Sequence, residues 1–302
     1  MTQFVHRRVA VTGARGFLGS HACRHLLQRG AEVHAIARRL PESPGPARWH
    51  QADLSDLAQT RRALQSIQPE IILHLAGYAE GLRELAHVVP SLQGDLVTAV
   101  NVLTAATQLG CSRVVLASSF EEPVAGDTAA VPSSPYAAAK WAANAYARMF
   151  HALYNTPAVI LRVFMTYGPG QRPRKIIPHV ILSLLEGRPP QLAGGRRAVD
   201  WIYVDDVIEG LLAAAVAPGV EGRSIDLGSG RLATIREVVA EIVRLIGSPI
   251  EPCFGALPDR LLEQVRAADV EPAAALLGWR PKTPLTEGLR ATIDWYRTGN
   301  RP

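Results

Sequence analysis

The feature that most constrains the fold lies near the start of the chain, where a short apolar run ends in glycine and leads into a helical pattern. The run RVAVTG at 8–13 is typical of a buried parallel strand, and SHACRHLLQRG at 20–30 has the periodicity of a helix. Gly13, Gly16 and Gly19 separate the two. A strand that passes through a glycine turn into a helix begins a βαβ unit, so we expect a parallel sheet.

The alternation of strand and helix patterns continues through AVILRVF at 158–164. Right-handed crossovers then predict an α/β fold, a Rossmann-type doubly wound parallel sheet. After residue 168 the sequence becomes rich in loops. We therefore predict a first domain over 1–168 and a smaller C-terminal α/β lobe over 169–302 that mainly binds substrate. The chain is expected to return to the first domain around 200–245.

The three glycines form a G-x-x-G-x-x-G pattern, which is a variant of the dinucleotide-binding fingerprint. Glycine lets the backbone approach a pyrophosphate, and the helix N-terminus offers N–H donors with a partial positive charge. A glycine turn without a ligand is the alternative, which the βαβ context disfavours. The first domain is thus predicted to bind a dinucleotide, and Asp53 is expected to contact its adenine. The predicted binding residues are Gly13, Arg15, Gly16, Phe17, Leu18, Gly19, Asp53, Leu54, Leu75, Ala76 and Gly77.

The end of the second predicted strand indicates which dinucleotide binds. An acidic residue at this point usually holds the ribose 2′-hydroxyl of NAD, whereas arginine accommodates the 2′-phosphate of NADP. This strand ends in AIARRL, with Arg38 and Arg39 and no acid. The pattern favours NADP(H) and leaves NAD(H) open. The alternative is that both arginines are solvated loop charges.

A tyrosine and a lysine stand four positions apart in SPYAAAKWAANAY at 134–146. In a helix, Tyr136 and Lys140 share one face, one turn apart. Lysine is rare in this chain and occurs only at positions 140, 175 and 282, so a lysine at this spacing carries more information than usual. An ammonium close to a phenol, together with a cationic nicotinamide, would favour phenolate and bring its pKa from near 10 towards the working pH. A coincidence on a helix surface is the alternative.

Several motifs occur together and in a fixed order: the glycine triplet, HLAG at 74–77, ASS at 117–119 and Tyr136-x-x-x-Lys140. In this combination the chain resembles the extended short-chain dehydrogenase/reductase family of nucleotide-sugar epimerases, dehydratases and 4-keto reductases. The C-terminal half carries further motifs similar to those of the family, namely LRVFMTYGPGQ at 161–171, DWIYVDDV at 200–207, DLGSG at 226–230 and LGWRP at 277–281.

The resemblance implies an NAD(P)-dependent oxidoreductase that transfers hydride at C4 of a nucleotide-diphosphate sugar. It implies that Tyr136 is the catalytic acid/base and that Ser119 hydrogen-bonds the same substrate oxygen. It also implies that Lys140 lowers the pKa of Tyr136 and holds the nicotinamide ribose. A non-catalytic NADP-binding regulator is the alternative from another class, and the presence of both Tyr136 and Lys140 argues against it.

The segment SSFEEP at 118–123 bears on the reaction. In the family's dehydratases and decarboxylases an acid lies two positions after the catalytic serine or threonine, where this chain has Glu121, so the resemblance makes Glu121 a candidate catalytic residue. Glucose-type dehydratases also carry Asp directly after it, where this chain has Phe120. Because Arg38 and Arg39 favour NADPH, we prefer 4-keto reduction slightly. Internal-redox chemistry by a 4-epimerase, dehydratase or decarboxylase is the alternative, and solvated loop charges are the alternative for Glu121 and Glu122.

The substrate's diphosphate requires cations, and arginine is suited to bind phosphate in a bidentate manner. The family arginine that often precedes the DWIYVDDV motif is replaced by Val199. We therefore expect nearby arginines to serve instead, although each one alone is more simply explained as surface charge. The predicted substrate-binding residues are Arg196, Arg197, Arg260 and Arg266.

Composition limits the other partners. The formal net charge is +5 and spread along the chain, with no nucleic-acid-binding motif. The three cysteines are far apart and no Cys/His spacing indicates a metal. The apolar runs fall short of a membrane span, and no leader segment is recognised, so we expect a cytoplasmic protein. The apolar helices at 95–107 and 137–150 predict a homodimer that buries them in a four-helix bundle, with cover by the C-terminal lobe as the alternative.

Overall fold

The computed structural model describes residues 3–123 and 130–299 of the chain. Within this part, twelve strands follow one another in the order β1 Arg8–Thr12, β2 Glu32–Ala37, β3 Arg48–Gln51, β4 Ile71–His74, β5 Arg113–Ser119, β6 Ala158–Val163, β7 Met165–Tyr167, β8 Gln191–Leu192, β9 Ala198–Tyr203, β10 Ser224–Leu227, β11 Leu232–Thr234 and β12 Cys253–Phe254.

Ten α-helices of the described residues lie between these strands, together with a 3-10 turn at Leu85–His87 and a π-helical turn at Leu92–Val97. The α-helices are α1 Phe17–Gln28, α2 Leu57–Ile67, α3 Val88–Ser91, α4 Thr98–Leu109, α5 Pro135–Tyr154, α6 Ile176–Leu185, α7 Val204–Val216, α8 Ile235–Ile246, α9 Glu271–Leu277 and α10 Leu285–Arg297.

The main sheet has seven strands in the order β10-β6-β5-β4-β1-β2-β3, and every pair in it is parallel. The strand order reverses between β1 and β4, which opens a crevice at the carboxyl ends of these strands. The predicted Rossmann-type fold is confirmed. Its crevice is where the glycine turn after β1 and the HLAG segment of β4 meet.

Alternation along the strands supplies two cores. Val9 and Val11 of β1 face α1 and α7, whereas Ala10 between them faces the core that includes α2, α4 and α5. Buried apolar strands of this kind are expected when helices cover both faces of a parallel sheet. The sheet is thereby fixed on both sides, so the loops at its carboxyl edge project from a rigid base.

The C-terminal part of the chain adds a smaller unit and also contributes to the main sheet. A three-stranded sheet in the order β11-β9-β7 packs with α6, α8 and α10 around a third core. Strand β10 instead pairs in parallel with β6 at the edge of the main sheet. The boundary at residue 168 stays a prediction about domain organisation.

Helix α5 begins where its sequence indicates. The Ser134 side chain caps it by accepting a hydrogen bond from the Ala137 N–H at 3.2 Å. Pro135 occupies the first turn, where its missing N–H has no cost. Asn155 ends the helix in the left-handed conformation. This fixed start sets Tyr136 in the first turn and Lys140 one turn later, beside the end of β5.

Candidate active site

The glycine turn after β1 is closely packed against the segment that follows β4. Gly13 has φ +66°, and a Cβ there would come within 2.8 Å of the Ala76 backbone. A Cβ at Gly19 would lie 2.2 Å from the Gly13 carbonyl oxygen. Thr12, which the sequence did not single out, links the two segments, because its Oγ1 accepts the N–H groups of Leu75 and Ala76 at 3.1 Å each.

The start of α1 has the geometry that a diphosphate site requires. Gly16 is the N-cap residue, and no described side chain caps it; the first turn also carries no acidic residue. The N–H groups of this turn and the helix dipole therefore face the crevice with a partial positive charge, as a pyrophosphate requires. The predicted glycine residues fit a dinucleotide.

The surface beside the end of β2 is basic. Arg38 and Arg39 are exposed there, and the exposed Arg15 of the glycine turn donates to the Arg39 carbonyl at 3.3 Å. The Asp53 carboxylate forms a local turn by accepting the Ser55 N–H and hydroxyl at 3.0 and 2.7 Å. One oxygen of Asp53 is thus engaged by the protein, and the adenine contact stays a prediction.

The predicted catalytic residues converge beyond the end of β5. Ser119 hydrogen-bonds the Tyr136 phenol and accepts the Glu121 N–H at 3.2 Å. The Lys140 ammonium lies 5.9 Å from the Tyr136 ring centroid and donates to the Ala117 carbonyl at 3.0 Å. A hydroxyl, a phenol and an ammonium are thus brought together from a strand end and one turn of α5.

The pKa of Tyr136 is shifted by its surroundings. It is raised above its ordinary value, chiefly by burial and next by the carboxylates of Asp95 and Glu121. The hydrogen bond from Ser119 opposes this shift and is too weak to reverse it. Without a cofactor, desolvation therefore disfavours the phenolate. The predicted lowering also depends on a cationic nicotinamide and stays a prediction for the protein with its cofactor bound.

Asp95 stands where the resembled family carries an asparagine, and its contact with Lys140 was not predicted. It is 1% exposed on the π-helical turn, and its Oδ1 lies 3.4 Å from the Lys140 ammonium. The same oxygen accepts the Tyr78 N–H at 3.2 Å. No spacing rule indicated this contact, because a π-helical turn displaces a side chain from the face that 3.6-residue periodicity assigns to it.

The two glutamates after Ser119 are held inside the protein. Glu122 is 4% exposed, accepts the Ser119 N–H at 3.1 Å and is bonded by the Asn144 amide. Glu121 is partly buried, and burial raises its pKa while the charges of Arg197, Lys175 and Arg260 oppose the rise. The alternative that both are solvated loop charges is wrong.

Phe120, between Ser119 and Glu121, is directed into the protein. It is 4% exposed and stacks on Phe164 with 5.3 Å between ring centroids. The Arg197 guanidinium lies 5.6 Å from the centroid of Phe120, and that of Arg266 lies 5.5 Å from the centroid of Phe164. This Arg-Phe-Phe-Arg stack, residues 197, 120, 164 and 266, joins β5, β6 and the C-terminal part.

Three of the four predicted substrate arginines lie near Glu121 or against the stacked rings of Phe120 and Phe164. Arg197 pairs with Glu263 at 2.9 Å and points inward. It can therefore take the place of the family arginine that Val199 replaces. Arg260 approaches Glu121 across Gly81, where a Cβ would lie 3.9 Å from its Nη1. The Nε and Nη2 atoms of Arg266 have no partner among the described residues.

Arg196 does not join them, and two cations that were not predicted do. The Arg196 side chain is 85% exposed and lies 3.9 Å from Asp259. Lys175 donates to the Ala79 carbonyl at 3.1 Å, and its charge opposes the rise in the pKa of Glu121. Arg83 bridges the Ser133 and Leu261 carbonyls at 2.7 and 2.6 Å. These contacts are made across the chain, so sequence spacing did not indicate them.

Residues 3–123 and 130–299 contain no cluster of three or more Cys, His, Asp or Glu side chains that could hold a metal ion. In the same part of the chain, no helix is long and apolar enough to cross a membrane.

Comparison with known proteins agrees with this geometry. The model of the NAD dependent epimerase/dehydratase family matches residues 9–228. A UDP-glucose 4-epimerase of Mycolicibacterium smegmatis is 31% identical over 318 residues, covering 96% of this chain and 98% of the relative. A dTDP-glucose 4,6-dehydratase of Neisseria gonorrhoeae is 29% identical over 332 residues, covering 96% and 95%.

A solved structure adds a cofactor to the comparison. The UDP-glucuronic acid 4-epimerase from Bacillus cereus, in complex with UDP-glucuronic acid and NAD, superimposes with a TM-score of 0.87 at 26% identity. The match covers 97% of this chain and 99% of that one. The relatives are epimerases and dehydratases, so they support the alternative of internal-redox chemistry better than the preferred reduction, and they do not support a preference for NADP. The predicted family is confirmed, and this chain is an enzyme of the NAD dependent epimerase/dehydratase family.

Proposed function

We propose that this enzyme is a nucleotide-sugar 4-epimerase that uses a bound nicotinamide dinucleotide, with NAD as the first candidate. The observation that carries the proposal is the arrangement of the acid/base groups. One phenol, Tyr136, is bonded to Ser119 beside Lys140, while the side chain directly after Ser119 is Phe120, stacked in the interior. This arrangement supplies what proton exchange at one sugar hydroxyl requires.

The chemistry follows from the positions of these side chains. When bound, a nicotinamide dinucleotide accepts hydride from a sugar carbon and returns it, and its positive ring favours phenolate. Tyr136 accepts the proton of the 4-hydroxyl and later returns it, and a positioned group of this kind accelerates such a step by roughly 10²–10⁴-fold. Ser119 donates to the same oxygen, and Lys140 stands where it can hold the ribose.

Dehydration is disfavoured by the local geometry. Elimination across C5 and C6 requires one group to remove the C5 proton and another to protonate the leaving hydroxyl. The position after Ser119 cannot supply an acid, because it is occupied by Phe120, whose ring has no acidic group and is buried against Phe164. Glu121 remains as a single carboxyl there, and it is surrounded by the charges of Arg197, Lys175 and Arg260. We infer that Glu121 orders these cations around the substrate.

We propose that the nucleotide diphosphate binds to Arg197, Arg260 and Arg266. Arg266 supports this role most directly, because its Nε and Nη2 atoms lack partners among the described residues and are turned away from solvent. An unpaired buried guanidinium is costly, and an anionic ligand offsets that cost. The proposed substrate is therefore a nucleoside diphosphate sugar, and UDP-sugars are the first to test.

The cofactor proposal has its own test. Arg15, Arg38 and Arg39 form an exposed basic rim at the end of β2, so NADP(H) stays a second candidate beside NAD. Binding of both dinucleotides can be measured by calorimetry on the wild type and on Arg38→Ser. A selective loss of NADP affinity supports a 2′-phosphate contact. An equal effect on NAD and NADP contradicts it.

The reaction can be identified with substrates labelled with deuterium at C4. UDP-glucose, UDP-galactose and UDP-glucuronate are incubated with the NAD-loaded enzyme without added reductant, and products are analysed by NMR. A 4-epimer that retains deuterium at C4 supports the proposal. Loss of water, loss of carbon dioxide or a requirement for added NADPH would identify dehydration, decarboxylation or reduction instead.

Assembly and location stay predictions. Exposed aromatic side chains on α5, namely Trp141 and Tyr146 at 40% and 43%, are consistent with the proposed homodimer through α4 and α5. Sedimentation of the wild type and of Trp141→Arg would test it. A cytoplasmic location and the absence of a nucleic-acid partner are likewise predictions from the sequence.

A further inference from the structure

Asp95 is a buried carboxylate whose bonding is incomplete. Its Oδ1 accepts the Tyr78 N–H at 3.2 Å and lies 3.4 Å from the Lys140 ammonium. Its Oδ2 is buried and has no partner within the described part of the chain. A carboxylate that is removed from water with one unpaired oxygen is destabilising. Its contact with the acid/base pair of the site indicates a functional reason for it.

The surrounding backbone is shaped to admit this carboxylate. A Cβ at Gly77 would lie 2.5 Å from Asp95 Oδ1 and 3.4 Å from Lys140 Nζ, so only glycine leaves the space between them open. The π-helical turn Leu92–Val97 carries Asp95 towards β4 and α5. The Lys140 ammonium is consequently held between this carboxylate and the Ala117 carbonyl at 3.0 Å.

We propose that Asp95 is a positioning residue that fixes the Lys140 ammonium and sets the proton affinity of Tyr136. The inference rests on the acid/base role of Tyr136 in the proposed function. Asp95 offsets the positive charge of Lys140, so the ammonium alone does not draw the proton from the phenol. Tyr136 stays a phenol until a further positive charge reaches the site, which makes the base available only when the cofactor is in place.

The charges around Tyr136 agree with this role. The groups that face it are Asp95 from the π-helical turn, Lys140 from α5, and Glu121 and Glu122 from the end of β5. Burial raises the pKa of Tyr136 most, and Asp95 contributes the largest effect of any neighbouring charge. His74 on β4 faces Lys140 and stays neutral, because burial lowers its pKa to about 3.

The test is a spectroscopic titration of Tyr136 in protein loaded with NAD⁺. Phenolate absorbance is followed against pH for the wild type and for Asp95→Asn, and each is corrected with the same protein carrying Tyr136→Phe. We expect the pKa of Tyr136 to be lower by about one unit in Asp95→Asn, because a nearby like charge is removed. The acid limb of the pH profile of kcat/KM should move in the same direction.

Matched variants separate this electrostatic effect from a structural one. Asp206→Asn removes another buried carboxylate, on α7, which accepts the Thr283 N–H at 2.8 Å, and should leave the titration of Tyr136 unchanged. Asp95→Glu keeps the charge and should titrate close to the wild type. If Asp95→Asn fails to fold, Asp95→Ser removes the charge with a smaller side chain.

An unchanged or raised pKa of Tyr136 in the folded neutral variant overturns the proposal. The titration requires no turnover, so it is independent of the reaction assigned above. A shifted titration in a protein that epimerises no sugar rejects the proposed function alone. Epimerisation without a shift rejects the role of Asp95 alone.

Discussion

The two halves of the active site are built in different ways. The half around Gly13, Gly16 and Gly19 consists of backbone, because a cradle for diphosphate requires close approach and open N–H groups. The other half consists of side chains from separate segments, among them Glu121, Lys175 and Arg197, which interact through charge. The first half is encoded in one continuous stretch, and the second exists only when the chain is folded.

This difference teaches where each half is vulnerable. A backbone cradle fails when a single atom is added, whereas a cluster of charges tolerates the loss of a member and changes its affinity or its pH dependence instead. The following predictions test that contrast, beginning with Tyr136, which we propose to lie between the cofactor and the substrate.

Replacing Tyr136 by Phe is expected to have the largest effect. It removes the proton carrier and leaves the ring in place, so kcat should fall by roughly 10³-fold, within the usual range for a general acid/base. Tyr146→Phe on the same helix, where the ring is 43% exposed, is the control. Steady-state assays decide the matter, and a rate for Tyr136→Phe equal to that of the control contradicts the mechanism.

Gly13→Ala tests the backbone half. Its Cβ would meet the Ala76 backbone at 2.8 Å and its φ is +66°. We expect a loss of about 1–3 kcal/mol in the free energy of unfolding and at least about tenfold weaker binding of NAD. Gly110→Ala has the same strain at φ +67° but meets no atom within 4 Å. Calorimetry should show normal NAD binding for Gly110→Ala, and weak binding in both would point to strain alone.

Arg266→Met tests the charged half. Loss of a charge-assisted contact is worth about 1.5–3 kcal/mol, so KM for the nucleotide sugar should rise by roughly 10- to 100-fold with a smaller change in kcat. The control is Arg196→Met, whose side chain is 85% exposed in the wild type. Equal KM values for the two variants would remove Arg266 from the diphosphate site.

Glu122→Gln should have the smallest effect, on the pH dependence of stability. Burial raises the pKa of Glu122, so the native state keeps a proton that the unfolded state loses. The free energy of unfolding of the wild type therefore falls as pH rises through that raised pKa. In Glu122→Gln this fall with pH should be absent. Glu237 is the opposite case, since the Thr234 hydrogen bonds lower its pKa and its contribution is lost as pH falls. Chemical unfolding measures the slope from Glu122 above about pH 4.5 and the slope from Glu237 below about pH 4.5.

The extent of successful prediction follows the same division. The parallel sheet was accessible because it rests on local periodicity and on the alternation of strands and helices. The meeting of Ser119, Tyr136 and Lys140 was accessible through the resemblance to the family. Asp95, Arg83 and Lys175 were not accessible. Their partners lie on other segments, and nothing in their spacing indicates the contact.

The electrostatic surroundings of single residues were not accessible from the sequence for a related reason. The sequence places Lys140 near Tyr136 but does not reveal burial or the approach of Asp95, which together raise the pKa of the phenol. Arg196 and Arg197 are the same residue type at adjacent positions, yet Arg196 is exposed and Arg197 pairs with Glu263. Alternation along the strand decides between neighbours of this kind only after the register is known.

The sequence by itself determined the parallel α/β sheet and the glycine turn, because these depend on short-range spacing and on the geometry of glycine. Its resemblance to the family indicated Tyr136 as the candidate acid/base phenol. Only the tertiary structure decided which charges surround that phenol, since electrostatic interactions depend on distance and burial rather than on order along the chain. The reaction proposed for this enzyme rests on that second level, in the stacked Phe120 and in the hydrogen bond of Tyr136 to Ser119 beside Lys140.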